Sequence, residues 1–136
     1  MAVLDIDAHH GDGMQSIFCD RADVMTLSVH VDRDACYPFL TGLVHERSRG
    51  EGGSFNLDIP LVPGSGGAFL AAICPGLAAV AAYGLRALVL ALGYDAHAED
   101  PLSLVRVTAG AFREAGRVIT SARIPVIVQE GGYPVS

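Results

Sequence analysis

The chain has 136 residues, of which 51% are hydrophobic and 18% charged, and its formal net charge is −6. These values fit one globular domain and exclude an intrinsically disordered chain. All 9 basic residues are arginine, and the acidic balance argues against direct nucleic-acid binding, which needs a basic face.

The chain contains three widely spaced cysteines, Cys19, Cys36 and Cys74. An odd number without a CxxC pair is typical of a reduced, cytoplasmic protein rather than a disulfide scaffold. No signal peptide is visible at the start. The apolar stretch 67–85 is interrupted by Pro75, so we interpret it as a buried helix rather than a membrane span.

Short apolar runs alternate with helical patterns along the chain. Four runs are predicted to form strands: 2–6, 24–30, 87–93 and 124–129. Three segments with helical spacing are predicted to form helices: 13–19, 67–83 and 108–122, the last capped by Thr108. Continuously apolar strands are typical of a parallel sheet that is covered on both faces. The alternation therefore predicts an α/β fold.

Residues 31–53 differ from the rest, because they are rich in Gly, Arg and turn-forming residues and lack periodicity. A loop this long within a compact domain is usually functional or disordered.

Polar side chains follow each of the four predicted strands. They are Asp5, Asp7 and His9 after the first, Ser28 and His30 after the second, Asp95 after the third, and Glu130 to Tyr133 after the fourth. The carboxyl ends of parallel strands lie at one edge of the sheet, where ligands bind. We therefore expect these side chains to converge on one site.

Asp7 and His9 are two residues apart, so an extended backbone directs both side chains to the same face. With Asp95 as a third ligand, they match a catalytic zinc site, which has three protein ligands and one open position. Asp5 and Ser28 supply oxygen atoms behind this site, for a monovalent cation or as support for the ligands. The alternatives are a polar turn at 5–10 and a helix cap at Asp95.

Five stretches carry a more specific signal: "LDIDAHHGDGMQSIF", "VMTLSVH", "CYPFLTG…GEGGSFNLDIPL", "LALGYDAHAEDPLS" and "VQEGGY". In order and spacing they resemble the zinc-dependent histone deacetylase and acetylpolyamine amidohydrolase family, over essentially the whole chain. The resemblance implies a three-layer α/β sandwich with a mostly parallel sheet, as in arginase and deacetylases, present here in incomplete form. Residues 1–136 are thus expected to be part of a catalytic domain, without its N-terminal half and closing C-terminal segment.

The resemblance also implies roles for individual residues. Asp7, His9 and Asp95 correspond to the zinc ligands, and Tyr133 to the tyrosine whose hydroxyl stabilises the oxyanion. The implied potassium site comprises Asp5, Ser28 and the main-chain oxygens of Asp7, His9 and Val29. A second potassium site would involve Phe18, Arg21, Val24 and Phe55. The substrate would contact Tyr37, Leu102 and Gly132, and His10 would support the ligands.

One feature of the family is unmatched. Its tandem histidine pair acts as general base and acid and lies upstream of the zinc motif. His9 and His10 are not that pair, because His9 corresponds to a zinc ligand.

The implied activity is removal of acetyl groups from acetyl-lysine or an acetylated polyamine. The alternatives are a non-catalytic zinc-binding remnant and a binuclear manganese ureohydrolase. The oligomeric state stays open, with a homodimer as one option.

Overall fold

The computed structural model describes residues 1–48, 55–84, 86–123 and 125–134. Within these ranges the chain forms a five-stranded sheet: β1 (Ala2–Asp5), β2 (Met25–Val31), β3 (Asn56–Leu61), β4 (Leu88–Leu92) and β5 (Val126–Gln129). Its helices are α1 (Asp12–Phe18), α2 (Phe69–Ala82) and α3 (Ala109–Ala122). The strand order is β3-β2-β1-β4-β5, and every neighbouring pair is parallel. The predicted α/β fold class is therefore confirmed.

Helices α2 and α3 cover one face of the sheet. Gly76 of α2 lies over Leu4 and Leu27 of β1 and β2, and the Phe69 and Phe112 rings, 5.3 Å apart, join α2 to α3. Helix α1 packs near β2 and borders the opposite face.

Thr108 caps the start of α3, as predicted. Its side chain accepts a hydrogen bond from the Ala111 amide at 3.1 Å, which satisfies one of the free amide groups at the helix start. Pro75 lies inside α2 without ending it. None of the described helices is both long and apolar enough to cross a bilayer.

The strand β3 was not predicted, because Asp58 and Pro60 within it are uncommon in strands. The structure explains why proline is tolerated here. β3 is an edge strand, so the amide that Pro60 lacks need not pair with a second neighbour. Residues 32–48 form turns without regular strands or helices, as predicted for this loop. The remainder of the predicted loop, 49–53, lies outside the described residues.

The expectation that all four predicted strands are covered on both faces is wrong for β5. Val126, Ile127 and Val128 are 66%, 57% and 49% exposed, respectively. β5 is the other edge of the described sheet and pairs only with β4. By contrast, every residue of β1 and β2 is buried.

Candidate active site

The candidate site lies where the strand order changes direction, between β1 and β4. Asp7 and His9 belong to the turn after β1, and Asp95 follows β4. Ligands of open α/β sheets bind at this switch point, beyond the carboxyl ends of the strands. Asp95 is fully buried and Asp7 nearly so, whereas His9 is partly exposed.

The three side chains meet at one point. His9 Nδ1 lies 3.1 Å from Asp7 Oδ1 and 3.0 Å from Asp95 Oδ2. A tetrahedral ion with metal–ligand bonds of about 2.0–2.2 Å holds its donor atoms roughly 3.3–3.6 Å apart. The observed separations are close to this spacing, so the donor set fits a single metal ion and leaves further coordination positions free.

Backbone amides hold the two carboxylates in place. The His9 amide donates to Asp7 Oδ1 at 2.8 Å, and the Ala8 amide donates to Asp95 Oδ1 at 2.9 Å. The second of these bonds joins the loop after β1 to the loop after β4. This bond thus ties the two loops together.

The two carboxylates of the site and the imidazole that they contact shift each other's pKa. The Asp7 and Asp95 carboxylates raise the pKa of His9 to about 10. Burial raises the pKa of Asp7, but the hydrogen bonds from His9 outweigh this and lower it overall. The two carboxylates therefore favour the protonated form of His9. A metal that binds Nδ1 must displace its proton.

Two glycines allow the backbone to approach these carboxylates. A Cβ atom at Gly93 would lie 2.1 Å from Asp7 Oδ2, and one at Gly131 would lie 2.5 Å from both Asp7 Oδ2 and Asp95 Oδ2. The Gly131 amide donates to Asp7 Oδ2 at 3.2 Å. Any side chain at either position would displace a carboxylate, so the close approach requires glycine.

Behind Asp7, His9 and Asp95 lies the buried carboxylate of Asp5, which has no arginine partner among the described residues. Asp5 is 3% exposed, and no arginine in the described part of the chain forms a salt bridge with it. Its Oδ1 accepts a hydrogen bond from the Asp7 amide, yet burial raises the pKa of Asp5 to about 8. Ser28 is paired with Asp5 in the sheet register, and Val29 follows it in β2. Oxygen donors around an uncompensated carboxylate suit a hard cation.

A second buried cluster consists of His10, His30 and Asp58. His10 Nε2 donates to Asp58 Oδ1 at 3.1 Å, and His30 Nε2 donates to the Gly42 carbonyl at 3.1 Å. The other ring nitrogens bond to the Thr41 and Ser28 hydroxyls at 2.9 Å each. All four ring nitrogens thus have protein partners. The cluster anchors the loop around Thr41 and Gly42 to the sheet, and the supporting role of His10 toward the ligands stays a prediction.

The open side of the metal-ligand cluster faces a cavity of about 820 Å³. Tyr37, Leu102 and Tyr133 all line it, and they are 64%, 50% and 51% exposed. The Tyr37 ring centroid lies 6.5 Å from that of His9. Gly132 does not line this cavity but packs on Tyr94, and Gly131 lines the cavity instead.

Known proteins share both the sequence and this fold. A model of the histone deacetylase domain matches residues 1–136. The chain belongs to the histone deacetylase family. An acetylpolyamine amidohydrolase of Burkholderia pseudomallei is 43% identical over 99% of this chain and 40% of its own length. A histone deacetylase-like amidohydrolase of Pseudomonas aeruginosa is 36% identical over 98% of this chain and 37% of its own length.

Solved structures of the family superpose closely on the chain. The crystal structure of acetylpolyamine aminohydrolase from Burkholderia pseudomallei gives a TM-score of 0.93 at 44% identity, covering 97% of this chain and 39% of that one. The crystal structure of a histone deacetylase homologue from Aquifex aeolicus gives a TM-score of 0.93 at 34% identity, covering 98% of this chain and 37% of that one. The chain therefore spans about 40% of the length of the family members that it matches.

The residues assigned to a second potassium site lie at the opposite end of the strands from the candidate ligands. Phe18 and Phe55 carbonyls accept hydrogen bonds from the Arg21 and Thr26 amides at 3.0 and 2.9 Å. Val24 directly precedes β2. These contacts leave the potassium assignment as a prediction.

Sequence reasoning missed three residues that shape the site: Gly93, Gly131 and Asp100. The glycines are close to Asp7 only in the folded chain, and "EGG" alone indicates a tight turn. Asp100 is 6% exposed and hydrogen-bonds to the Tyr133 amide. Nothing in the sequence around Asp100 indicates a partner 33 residues away, so only the fold identifies it.

Proposed function

We propose that this chain forms the metal-binding part of a zinc-dependent amidohydrolase that removes acetyl groups from acetylated amines. One observation carries the proposal: Asp7, His9 and Asp95 meet within bonding reach of one ion, beside a cavity that also contains Tyr133. Asp and His side chains both bind zinc in proteins, and a catalytic zinc site has three protein ligands and one open position. A bound zinc would polarise the acetyl carbonyl and lower the pKa of a coordinated water.

Tyr133 supplies the hydrogen-bond donor in this proposal. Burial and the nearby Asp95 and Asp7 carboxylates raise the pKa of its hydroxyl above the ordinary value of 10.0. The phenol therefore keeps its proton at neutral pH. It can donate to the carbonyl oxygen of the substrate as negative charge develops there.

The cavity lining favours a positively charged amine as the rest of the substrate. Its lining includes Asp5, Asp7, His9, His10, Asp12 and Glu130, and no arginine is among the lining residues described. Asp7 is paired with His9, and Asp5 is buried with a raised pKa, so the negative charge that a ligand meets comes mainly from Asp12 and Glu130. Asp12 and Glu130 are exposed, so they can face a ligand in solution. This field attracts cations. The relatives include acetylpolyamine amidohydrolases, and we propose an acetylated polyamine ahead of acetyl-lysine as substrate.

Potassium is the proposed ion behind the zinc ligands. The Asp5 carboxylate, the Ser28 hydroxyl and the backbone oxygen of Val29 would hold it, together with backbone oxygens of Asp7 and His9. A cation there would offset the charge of Asp5, whose pKa of about 8 reflects its uncompensated burial. This ion would stabilise the turn that presents the ligands.

Amine release from N-acetylputrescine and from an acetyl-lysine peptide tests the proposal in the zinc-loaded chain. We expect Tyr133→Phe to lower kcat by about a hundredfold. Tyr83→Phe is the matched control, because its hydroxyl bonds to the Ala22 carbonyl outside the cavity. Zinc binding without amine release would favour the non-catalytic alternative. That alternative would be established if activity stays absent after a segment with the family's tandem histidines is added upstream.

A further inference from the structure

Asp100 joins two loops of the candidate site through a single carboxylate. Its Oδ1 accepts a hydrogen bond from the Leu102 amide at 2.8 Å, and its Oδ2 accepts one from the Tyr133 amide at 2.6 Å. The second bond spans 33 residues of sequence. Asp100 is 6% exposed, so these two amides take the place of water as the hydrogen-bond donors to its carboxyl oxygens.

Tyr133 depends on such a contact because little else fixes it. Its side chain is 51% exposed, so packing does not hold the ring. The residue before it, Gly132, has a φ angle of 140°, a conformation that glycine adopts and other residues rarely do. Among the described residues, Asp100 is the only side chain that hydrogen-bonds to the backbone of Tyr133.

Asp100 is itself fixed relative to the metal-ligand Asp95. Consecutive turns link the loop: the His97 amide donates to the Tyr94 carbonyl and the Asp100 amide to the His97 carbonyl, each at 2.9 Å. The Tyr94 amide also donates to the Gly131 carbonyl at 2.8 Å. The loop after β4 and the loop after β5 are therefore tied at two points, on either side of Gly132.

We propose that Asp100 is a positioning residue that sets where the Tyr133 hydroxyl lies relative to Asp7, His9 and Asp95. It acts through the Tyr133 backbone, and through Leu102 it also fixes the cavity rim. The role of the hydroxyl rests on the proposed function. A carboxylate is required because it offers an acceptor to both amides at once, whereas an asparagine presents one acceptor and a donor.

Amide hydrogen exchange in the full chain tests the contact independently of activity. Asp100→Asn should speed exchange of the Tyr133 or Leu102 amide by about tenfold or more, since one of them loses its acceptor. Glu99→Gln is the matched control, because this neighbour is exposed and loses the same charge. Bound zinc per chain should stay unchanged in both variants. Unchanged exchange at both amides would overturn the proposal.

A double-mutant cycle with Tyr133→Phe separates positioning from general stabilisation. Asp100→Asn should lower kcat roughly tenfold when Tyr133 is present and less than about twofold when the hydroxyl is absent. An equal loss in both backgrounds would overturn the positioning role. If amine release stays absent even after a segment with the family's tandem histidines is added upstream, the proposed function fails, while hydrogen exchange still decides whether Asp100 holds Tyr133.

A second variant guards against loss of folding. Asp100→Glu keeps the charge and both acceptor oxygens but lengthens the side chain by one methylene. Asp100→Glu should retain zinc. It should lower kcat when Tyr133 is present and leave kcat unchanged in the Tyr133→Phe variant. Parent-like kcat together with parent-like exchange at Tyr133 would show that the placement of the carboxylate is immaterial, and would overturn the proposal.

Discussion

Adjacent residues of the central strands serve two very different faces of the sheet. Under α2 and α3, the strands present Leu4, Leu27 and Leu90, which are at most 5% exposed. One residue further along, β1 and β2 present Asp5 and Ser28 to the other face. The first face is stabilised by non-directional burial of apolar surface. The second depends on hydrogen bonds with particular partners, and these bonds position the candidate ligands.

The largest expected effect is on the helix-covered face. Leu27→Ala should lower the free energy of unfolding by about 2–5 kcal/mol, because it leaves a cavity beneath α2. Urea denaturation of the metal-free chain measures this. Leu40→Ala, at a side chain that is 82% exposed, should change it by less than about 0.5 kcal/mol. Similar losses in the two variants would contradict the assigned core.

Next in size is the effect of filling the space between the ligand carboxylates. Gly131→Ala should weaken zinc binding about 10- to 100-fold, because its Cβ would displace Asp7 and Asp95. Competition with a chromophoric chelator gives the affinity. Gly67→Ala is the control, since a Cβ there meets open space. An unchanged affinity would show that the carboxylates tolerate displacement.

A smaller, pH-dependent effect is expected in the buried polar cluster. Burial alone lowers the pKa of His10, but its bonds to Asp58 and Gln15 outweigh burial and raise it above 6.5. Asp58→Asn should lower the free energy of unfolding by about 1–3 kcal/mol at pH 6. A raised pKa contributes stability that is complete below the unfolded-state value and is lost as pH rises through the folded-state value. The difference from the parent should therefore shrink toward pH 9.

Urea titrations of the parent and of Asp58→Asn at several pH values measure this difference. Asp34→Asn is the control, because the Asp34 side chain is 87% exposed. A difference that grows with rising pH would contradict the assigned His10–Asp58 pair.

The smallest effect belongs to the solvent-exposed surface of α3. Arg117 and Glu114 form a bidentate ion pair at 2.6 and 2.9 Å, but their side chains are 68% and 41% exposed. Arg117→Gln should change the free energy of unfolding by less than about 0.5 kcal/mol, and less still in high salt. Thermal unfolding at two salt concentrations checks this. A loss above 1 kcal/mol would mean that directional contacts matter outside the site too.

The contrast between the apolar face and the hydrogen-bonded face also explains which parts of the structure the sequence predicts. Buried strands and the Thr108 cap carry local signals, so the α/β fold and four of its strands could be predicted. β3 carries contrary local signals in Asp58 and Pro60. The edge position of β5 was missed because composition does not reveal which strand has one neighbour.

Within the site, the meeting of Asp7 and His9 with Asp95 follows from their places at strand ends. The contacts of Asp100 and Gly131 join residues that are 33 and 124 positions apart. No local pattern marks such pairs, because each partner is ordinary in its own segment. These contacts became visible only once the strand order was known.

Native mass spectrometry with zinc and with manganese tests the central claim most directly, namely that two strand ends assemble one metal site. The account predicts one zinc ion per chain, lost in Asp95→Ala and retained in Asp23→Ala, whose side chain is 69% exposed. Zinc that persists in Asp95→Ala would contradict the assigned ligands. Two manganese ions per chain would contradict the single-ion site and favour a ureohydrolase.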